Sequence, residues 1–417
     1  MSSRFRTPLA VSANGRYLIS DGEPWLWLGD TAWPLFTQYS DDNARAYLRS
    51  RAELGYSVIQ GVLAWGNGTG FEKPLPDANS SGHRPWRASP ADPDPAFFEP
   101  VDALVAYAAE LGLVLAMLPT WGYYVTDIGL FDGENARVYG RFLGERYRGA
   151  NNVVWVLGGD RVPFRNPEAY DGMAEGLRKG SGGRQLITYH PCGWHSSSQF
   201  YHERDWLDFN MIETWTDWDM VYPAVAADYA RTPVKPIVLG EGAYEGGTGY
   251  PKGPITPLIC RRQAWWAFMA GGYFTNGHEQ MWRIDPGWQM LFDTPSARQM
   301  GVLRKVVESI RWWQRVPDQG LFAEGVSNGR TLNAAVRGED SSWALAYLSS
   351  QCQVQVYLNK VWVKDVRATW INPLDGTRTE AGTYATGNML GVFPRTTRQW
   401  FAVPNEWEDA LLLLEGI

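Results

Sequence analysis

Eight short apolar runs pass along this chain, each closing on a polar or aromatic residue, and that repetition restricts the fold more than any other feature. The runs occupy residues 25–30, 57–65, 113–121, 153–160, 185–190, 209–213, 237–241 and 272–276. A continuous apolar run, as opposed to an alternating one, marks a strand covered on both faces, as in a parallel sheet flanked by helices. Amphipathic stretches of helix length lie between most of the runs, among them 40–54 and 98–111. Strands alternating with helices imply right-handed crossovers, and eight such repeats in about 250 residues predict an α/β fold, the (β/α)8 TIM barrel.

Two of the run tips are carboxylates. Asp160 closes Val-Val-Trp-Val-Leu-Gly-Gly-Asp, and Glu241 closes Pro-Ile-Val-Leu-Gly-Glu. Functional groups of such a barrel sit at the C-terminal strand ends, and strands four and seven lie nearly across the barrel from each other. Glycoside hydrolysis uses two carboxyl groups, one protonated to assist the leaving oxygen and one ionised to attack the anomeric carbon or activate water. Their surroundings must push their pKa values apart. Gly158, Gly159, Gly240 and Gly242 flank the pair and allow close approach of substrate or loops. The structural alternatives are that Asp160 caps the next helix and that Glu241 pairs with a rim arginine.

Aromatic content points the same way. The chain carries 22 Trp, 20 Tyr and 16 Phe, and many fall at run ends: Trp33, Trp65, Trp121, Tyr123, Tyr124, Trp194, Trp215, Trp218 and Trp282. Sugar rings pack their C–H faces on aromatic faces while their hydroxyls need polar partners, so a cleft rich in Trp and carboxylates suits carbohydrate. The expected substrate-binding set is Trp33, Trp65, Trp121, Tyr123, Trp215 and Trp282, with Asp30, His190, Glu213 and Glu245. Asp30 is placed to bond a sugar hydroxyl or to cap a helix. His190 is expected to orient a carboxylate or bond a hydroxyl. A metal would need His190, His195 and a third ligand at a spacing unlike the helical zinc pairs, and the chain has five His, so no metal and no cofactor is expected. Glu213, Asp217 and Asp219 crowd around Trp215 and Trp218 and compete for the catalytic places. Glu245 competes with Glu241 as nucleophile, although its distance past the strand favours the rim. His278 and Glu279 are further candidates for the pocket lining.

Composition bounds the partners. A net charge of −7 and a pI near 5.4, with no basic run, argue against nucleic acid or an anionic membrane. Cys192, Cys260 and Cys352 are scattered and odd in number, so they read as reduced thiols outside any disulfide framework. The start of the chain lacks the apolar core of a secretory signal, and no 18-residue apolar span occurs, so the expected location is cytoplasmic, or secreted if a leader has been removed. Oligomeric state is not readable. Residues 1–24 read as a β-hairpin cap on the barrel floor, with turns at Asn14-Gly15 and Asp21-Gly22. The barrel is expected over 25–317, with a Gly/Pro/Ser-rich rim loop at 67–95 and a last helix at 297–315. Short alternating segments at 331–336, 342–348, 353–358 and 366–371 predict a C-terminal antiparallel β-sandwich over 318–417.

Several segments together resemble the apiosidase-like glycoside hydrolases of family 140, which share a DUF4038 barrel. They are Tyr17 to Trp33, Asn152 to Asp160, His190-Pro-Cys-Gly-Trp-His-Ser-Ser197 and Gly240-Glu-Gly-Ala-Tyr-Glu245. The stretch Ala368-Thr-Trp-Ile-Asn-Pro-Leu-Asp-Gly-Thr resembles the C-terminal domain often labelled collagen-binding, so the likeness covers nearly the whole chain. It implies that Asp160 is the acid/base and Glu241 the nucleophile of a retaining, exo-acting enzyme, since relatives release apiose from a pectic side chain. Two departures border the substrate: Glu213-Thr-Trp-Thr-Asp replaces a Gln-Ser-Gly-His-like stretch, and Gly242 stands where a Pro is usual. The sugar is expected to be apiose or another furanoside on a plant-type oligosaccharide, with a deoxysugar left open by these departures. The competing expectations are a carbohydrate-binding protein that has lost catalysis and a structural-protein binder acting through the tail, whose sandwich otherwise reads as structural support.

Overall fold

Each of the eight runs becomes a strand, several of them shortened by one to three residues at an end. A computed structural model describes residues 4–66, 73–388 and 397–417; part of the expected rim loop, 67–72, lies outside the described residues. The barrel strands, numbered one to eight in chain order, are Leu28–Thr31, Val58–Val62, Val114–Leu118, Val153–Gly158, Ile187–His190, Asn210–Glu213, Ile237–Glu241 and Tyr273–Asn276. Every residue in them is buried, which is why they do not alternate. Seven of the eight seams are parallel backbone ladders. The remaining seam, between strands five and six, is closed differently. There Asp208 N donates to Ile187 O at 2.9 Å and Thr188 Oγ1 donates to Phe209 O at 2.6 Å. The two-residue strand His195–Ser196 then pairs antiparallel with strand six and lines that seam on the catalytic side.

The helices follow from local signals. Asp41–Glu53 starts at Ser40, whose side chain accepts from Asn43 N, and carries Asp41 and Asp42 in its first turn and Arg51 in its last. Pro95–Leu111 starts at Asp94 and stops at Gly112, which takes the left-handed conformation at φ 79°. Helices Gly133–Arg146 and Pro167–Ser181 meet backbone to backbone. A Cβ at Gly172 would lie 2.2 Å from Gly133 O, at Gly176 2.2 Å from Arg137 O, and at Gly140 2.4 Å from Met173 O. Glycine at i, i+4 on both helices permits that contact.

The start of the chain is a three-stranded antiparallel sheet, Ala10–Val11, Leu18–Ser20 and Glu23–Trp25, one strand more than a hairpin. Arg16 fixes it to the barrel floor: its guanidinium donates to Tyr229 O at 2.7 Å and lies 3.7 Å from the Tyr229 ring centroid. The last barrel helix, Pro295–Glu308, ends earlier than expected. Arg315–Pro317 already pairs with Ala334–Gly338 as the edge of a six-stranded antiparallel sheet. A three-stranded sheet, Phe322–Glu324, Gln353–Tyr357 and Arg398–Ala402, faces it. Along Ala410–Gly416 the side chains split: Leu411 and Leu413 join the barrel core, and Leu412 and Leu414 fill the sandwich. Among the described residues no helix is long and apolar enough to cross a membrane.

Candidate active site

Strand four ends in three successive left-handed residues, Gly158 at φ 85°, Gly159 at φ 116° and Asp160 at φ 48°. A Cβ at Gly158 would lie 2.3 Å from His190 O, and one at Gly159 2.5 Å from the Trp121 ring, so both positions require glycine. The turn carries Asp160 over the end of strand five. It does not cap the next helix, whose N-cap is Asn166.

His190, fully buried, sits among three carboxylates. Its Nε2 is 3.2 Å from Glu241 Oε2, and its Nδ1 is 3.8 Å from Glu213 Oε2 and 4.0 Å from Asp160 Oδ1. Pro191 O, 2.8 Å from Nδ1, fixes the ring. A ligand atom from each of Asp160, His190, Glu213 and Glu241 lies within 4.8 Å of the other three, a spacing that would also admit a cation; His195 is not in the set. Glu213 reaches this level through a register shift after Ile212 that sets it opposite Glu241. Gln60 Nε2 donates to Gly240 O at 2.8 Å and holds the end of strand seven.

Burial raises the Asp160 carboxyl to about 7, with the Glu241 charge adding to the rise and His190 opposing it. Burial, followed by the charges of Asp160 and Glu241, lifts Glu213 well above the usual carboxylate range. For His190 burial disfavours the cation, yet contact with Glu241 and the nearby Asp160 charge outweigh it, so its pKa rises. Asp160 Oδ1, Glu213 Oε2, Glu241 Oε2 and His190 Nε2 are buried with no hydrogen-bond partner outside their own cluster. Buried polar atoms are ordinarily satisfied more fully, so this converging set marks a candidate ligand position.

That space is a cavity of about 480 Å³. Trp33, Trp65 and Trp121, each 2% exposed, form its floor. The Trp33 ring meets His190 edge-on at 5.4 Å, and Trp33 Nε1 donates to Tyr244 Oη at 3.1 Å. At the mouth stand Trp194 and Trp215, 58% and 42% exposed, with φ of 66° and 46°. A bulky residue in that region costs of order 1–3 kcal/mol and persists only where its surroundings enforce it. Tyr250, Glu279, Trp282 and Arg283 complete the rim, with Tyr250 Oη donating to Glu279 at 2.5 Å and Arg283 paired with Glu279.

Residues 12–314 match the family described as "Apiosidase-like, catalytic domain". The chain belongs to the apiosidase-like glycoside hydrolases. Residues 316–415 match a second description, "Putative collagen-binding domain of a collagenase". Among solved structures, a glycoside hydrolase family 5 protein from Bacteroides vulgatus shares 25% identity at a TM-score of 0.88, over 100% of this chain and 95% of that one. A structure titled "Glycoside hydrolase" shares the fold at 24% identity and a TM-score of 0.88, over 100% and 99% of the two chains. A family 5 mannosidase from Rhizomucor miehei shares the fold at 11% identity and a TM-score of 0.51, over 65% and 85%. No curated protein matches the chain.

In this apiosidase-like enzyme Asp160, Glu241, Glu213, Trp33, Trp65, Trp121, Trp215 and Trp282 line the cavity, and His190 lies beneath it. Besides His190, three expected residues lie outside the lining. Asp30 is neither a sugar ligand nor a helix cap: it is buried in an ion pair with Arg51 and accepts from Tyr47 Oη at 2.7 Å. Glu245, also buried, accepts from Ser296 Oγ at 2.6 Å and from Ser296 N at 3.3 Å, which ties the loop after strand seven to the last barrel helix. Tyr123 packs edge-on to Tyr124 at 5.4 Å, with the Arg161 guanidinium 5.8 Å from its ring. Of the competing carboxylates, Asp217 and Asp219 are both bound to Lys252. Sequence reasoning missed Arg161, Cys192, Gly193, His195, Tyr244, Tyr250 and Arg283 in the lining. Tyr244 and His195 had a weak signal, since each lies within a few residues of a strand tip; Tyr250 and Arg283 had none.

Proposed function

We propose that this glycoside hydrolase removes a terminal sugar, apiose or another furanoside, from plant-type oligosaccharides with retention of anomeric configuration. The observation that carries the reading is the contrast between a carboxyl raised to about 7, Asp160, and Glu241 held against the His190 imidazole, with both facing one Trp-floored cavity. One oxygen from each lies within 4.8 Å of the other, so both carboxyl groups can reach a single anomeric centre, as a retaining mechanism needs. The buried floor supports exo action, because a chain end fits there and a continuing chain does not.

In the first step Glu241 attacks the anomeric carbon while Asp160 gives its proton to the departing glycosidic oxygen. In the second, Asp160, now ionised, takes a proton from water, and the resulting oxygen displaces Glu241 from the sugar. The His190 imidazole, 3.2 Å from Glu241, is placed to hold the Glu241 carboxylate before attack and after release. The test is sugar release from aryl furanosides, aryl pyranosides and apiose-capped pectic oligosaccharides. Glu241→Gln is expected to abolish turnover, and Asp160→Asn to lower it roughly 10²–10⁴-fold on unactivated leaving groups. Full activity in both variants would reassign the chemistry.

A further inference from the structure

Deepening the exo-glycosidase reading and resting on it, we infer that Trp194 and Trp215 form the platform that binds the first sugar of the leaving group. The cavity is blind at its base, where Trp33, Trp65 and Trp121 are almost wholly buried, so whatever is attached to the bound terminal sugar must leave over the mouth. At that mouth Trp194 and Trp215 face each other at 5.6 Å with their planes at 72°. A flat sugar face can lie on one ring and be flanked by the edge of the other.

Both rings are held in place by the strands that carry the carboxylates. Thr214 N, next to Trp215, donates to Glu241 O at 3.0 Å, and His195, next to Trp194, pairs with Glu213 across the sheet. These two exposed tryptophans sit on left-handed backbone where a smaller residue would be less strained, so stability of the free protein does not account for them. A second cavity of about 230 Å³ shares Trp194, His195 and Glu213 with the first and carries Gln199 and Arg231 on its wall. Trp194, His195 and Glu213 thus line both spaces, and a leaving group longer than one sugar continues past Trp194 toward polar side chains. The substrate class is therefore an oligosaccharide whose penultimate unit is itself a sugar, in preference to a small alcohol.

Two substrates with apiose as the terminal unit separate the possibilities: an apiose-capped pectic oligosaccharide and apiosyl fluoride, which has no leaving-group sugar. Trp194→Ala and Trp215→Ala are expected to lower kcat/KM for the oligosaccharide at least tenfold more than for the fluoride, mainly through KM. Trp194→Phe should recover much of the loss and Trp194→Leu should not, because only the former keeps a flat face. Equal losses on both substrates, or no loss on either, would overturn the platform while leaving the glycosidase reading intact. Turnover of neither substrate by the wild-type enzyme would overturn the apiose reading and this one with it.

Discussion

Asp160 couples catalysis to pH. With its carboxyl at about 7, the acid form needed for leaving-group protonation is lost as pH rises through that value, so kcat/KM is expected to fall on the alkaline side of a profile breaking near 7. The same shift acts on stability. Between the ordinary value of 3.8 and about 7, the folded protein holds a proton that the unfolded chain has lost. Stability therefore declines as pH rises through that window and stays lower above it. Asp160→Asn removes the penalty. Thermal unfolding should show the variant more stable than wild type at pH 8, by about 1–2 kcal/mol after allowance for partial solvent screening, and equal to it near pH 4. A wild-type advantage at pH 8 would mean that folding does not raise the Asp160 carboxyl. That Asp160 and Glu241 come together at one cavity was legible because strand ends in this fold converge on one face. Asp30 was misread for the same reason: its partner Arg51 comes from a helix 21 positions on, and no pattern near Asp30 announces a buried ion pair.

All eight strands could be read from the chain because burial on both faces leaves an apolar signature that loops and helices lack. The tips of the second, third and fourth strands were overextended by two or three residues, since the residues there are also largely apolar or aromatic yet belong to the catalytic loops, whereas the seventh strand keeps its expected bounds. Less legible was the packing of Gly133–Arg146 on Pro167–Ser181, because glycine lowers helix propensity and reads locally as a weak element. What favours glycine here is the neighbouring helix. Gly176→Ala would place a methyl group 2.2 Å from Arg137 O and 2.7 Å from Arg141 N, both backbone atoms that cannot turn aside. The gain in propensity, up to ~1 kcal/mol, is smaller than the ~1–3 kcal/mol expected from forcing packed elements apart. Denaturant titration should therefore show net destabilisation. An unchanged or raised midpoint would mean that the two helices separate at little cost.

Across the whole molecule the larger sheet of the C-terminal sandwich packs one face against the barrel and so serves both cores. The alternation along Ala410–Gly416 gives one face to each core, which is why that segment reads Leu-Leu-Leu-Leu and not as a half-exposed strand. The junction is reinforced by a buried ion pair. Arg261, on barrel helix Pro257–Met269, donates to both oxygens of Asp409 at 2.9 and 2.7 Å and to Gln299 at 2.8 Å, while Tyr347 Oη donates to Asp409 at 2.7 Å. Trp265 stacks on Tyr347 at 6.1 Å. The domain similar to a collagen-binding description thus presents one face of its larger sheet to the enzyme, which favours a supporting role for it here. Arg261→Ala would leave Asp409, 1% exposed, without its cation, and breaking a buried pair on one side costs about 3–5 kcal/mol. Calorimetry should show one cooperative transition in the wild type and one transition at lower temperature in the variant, because neither core can open without exposing the shared sheet. Two separate transitions in the wild type would instead mark the sandwich as an independent module, free to serve a binding partner of its own.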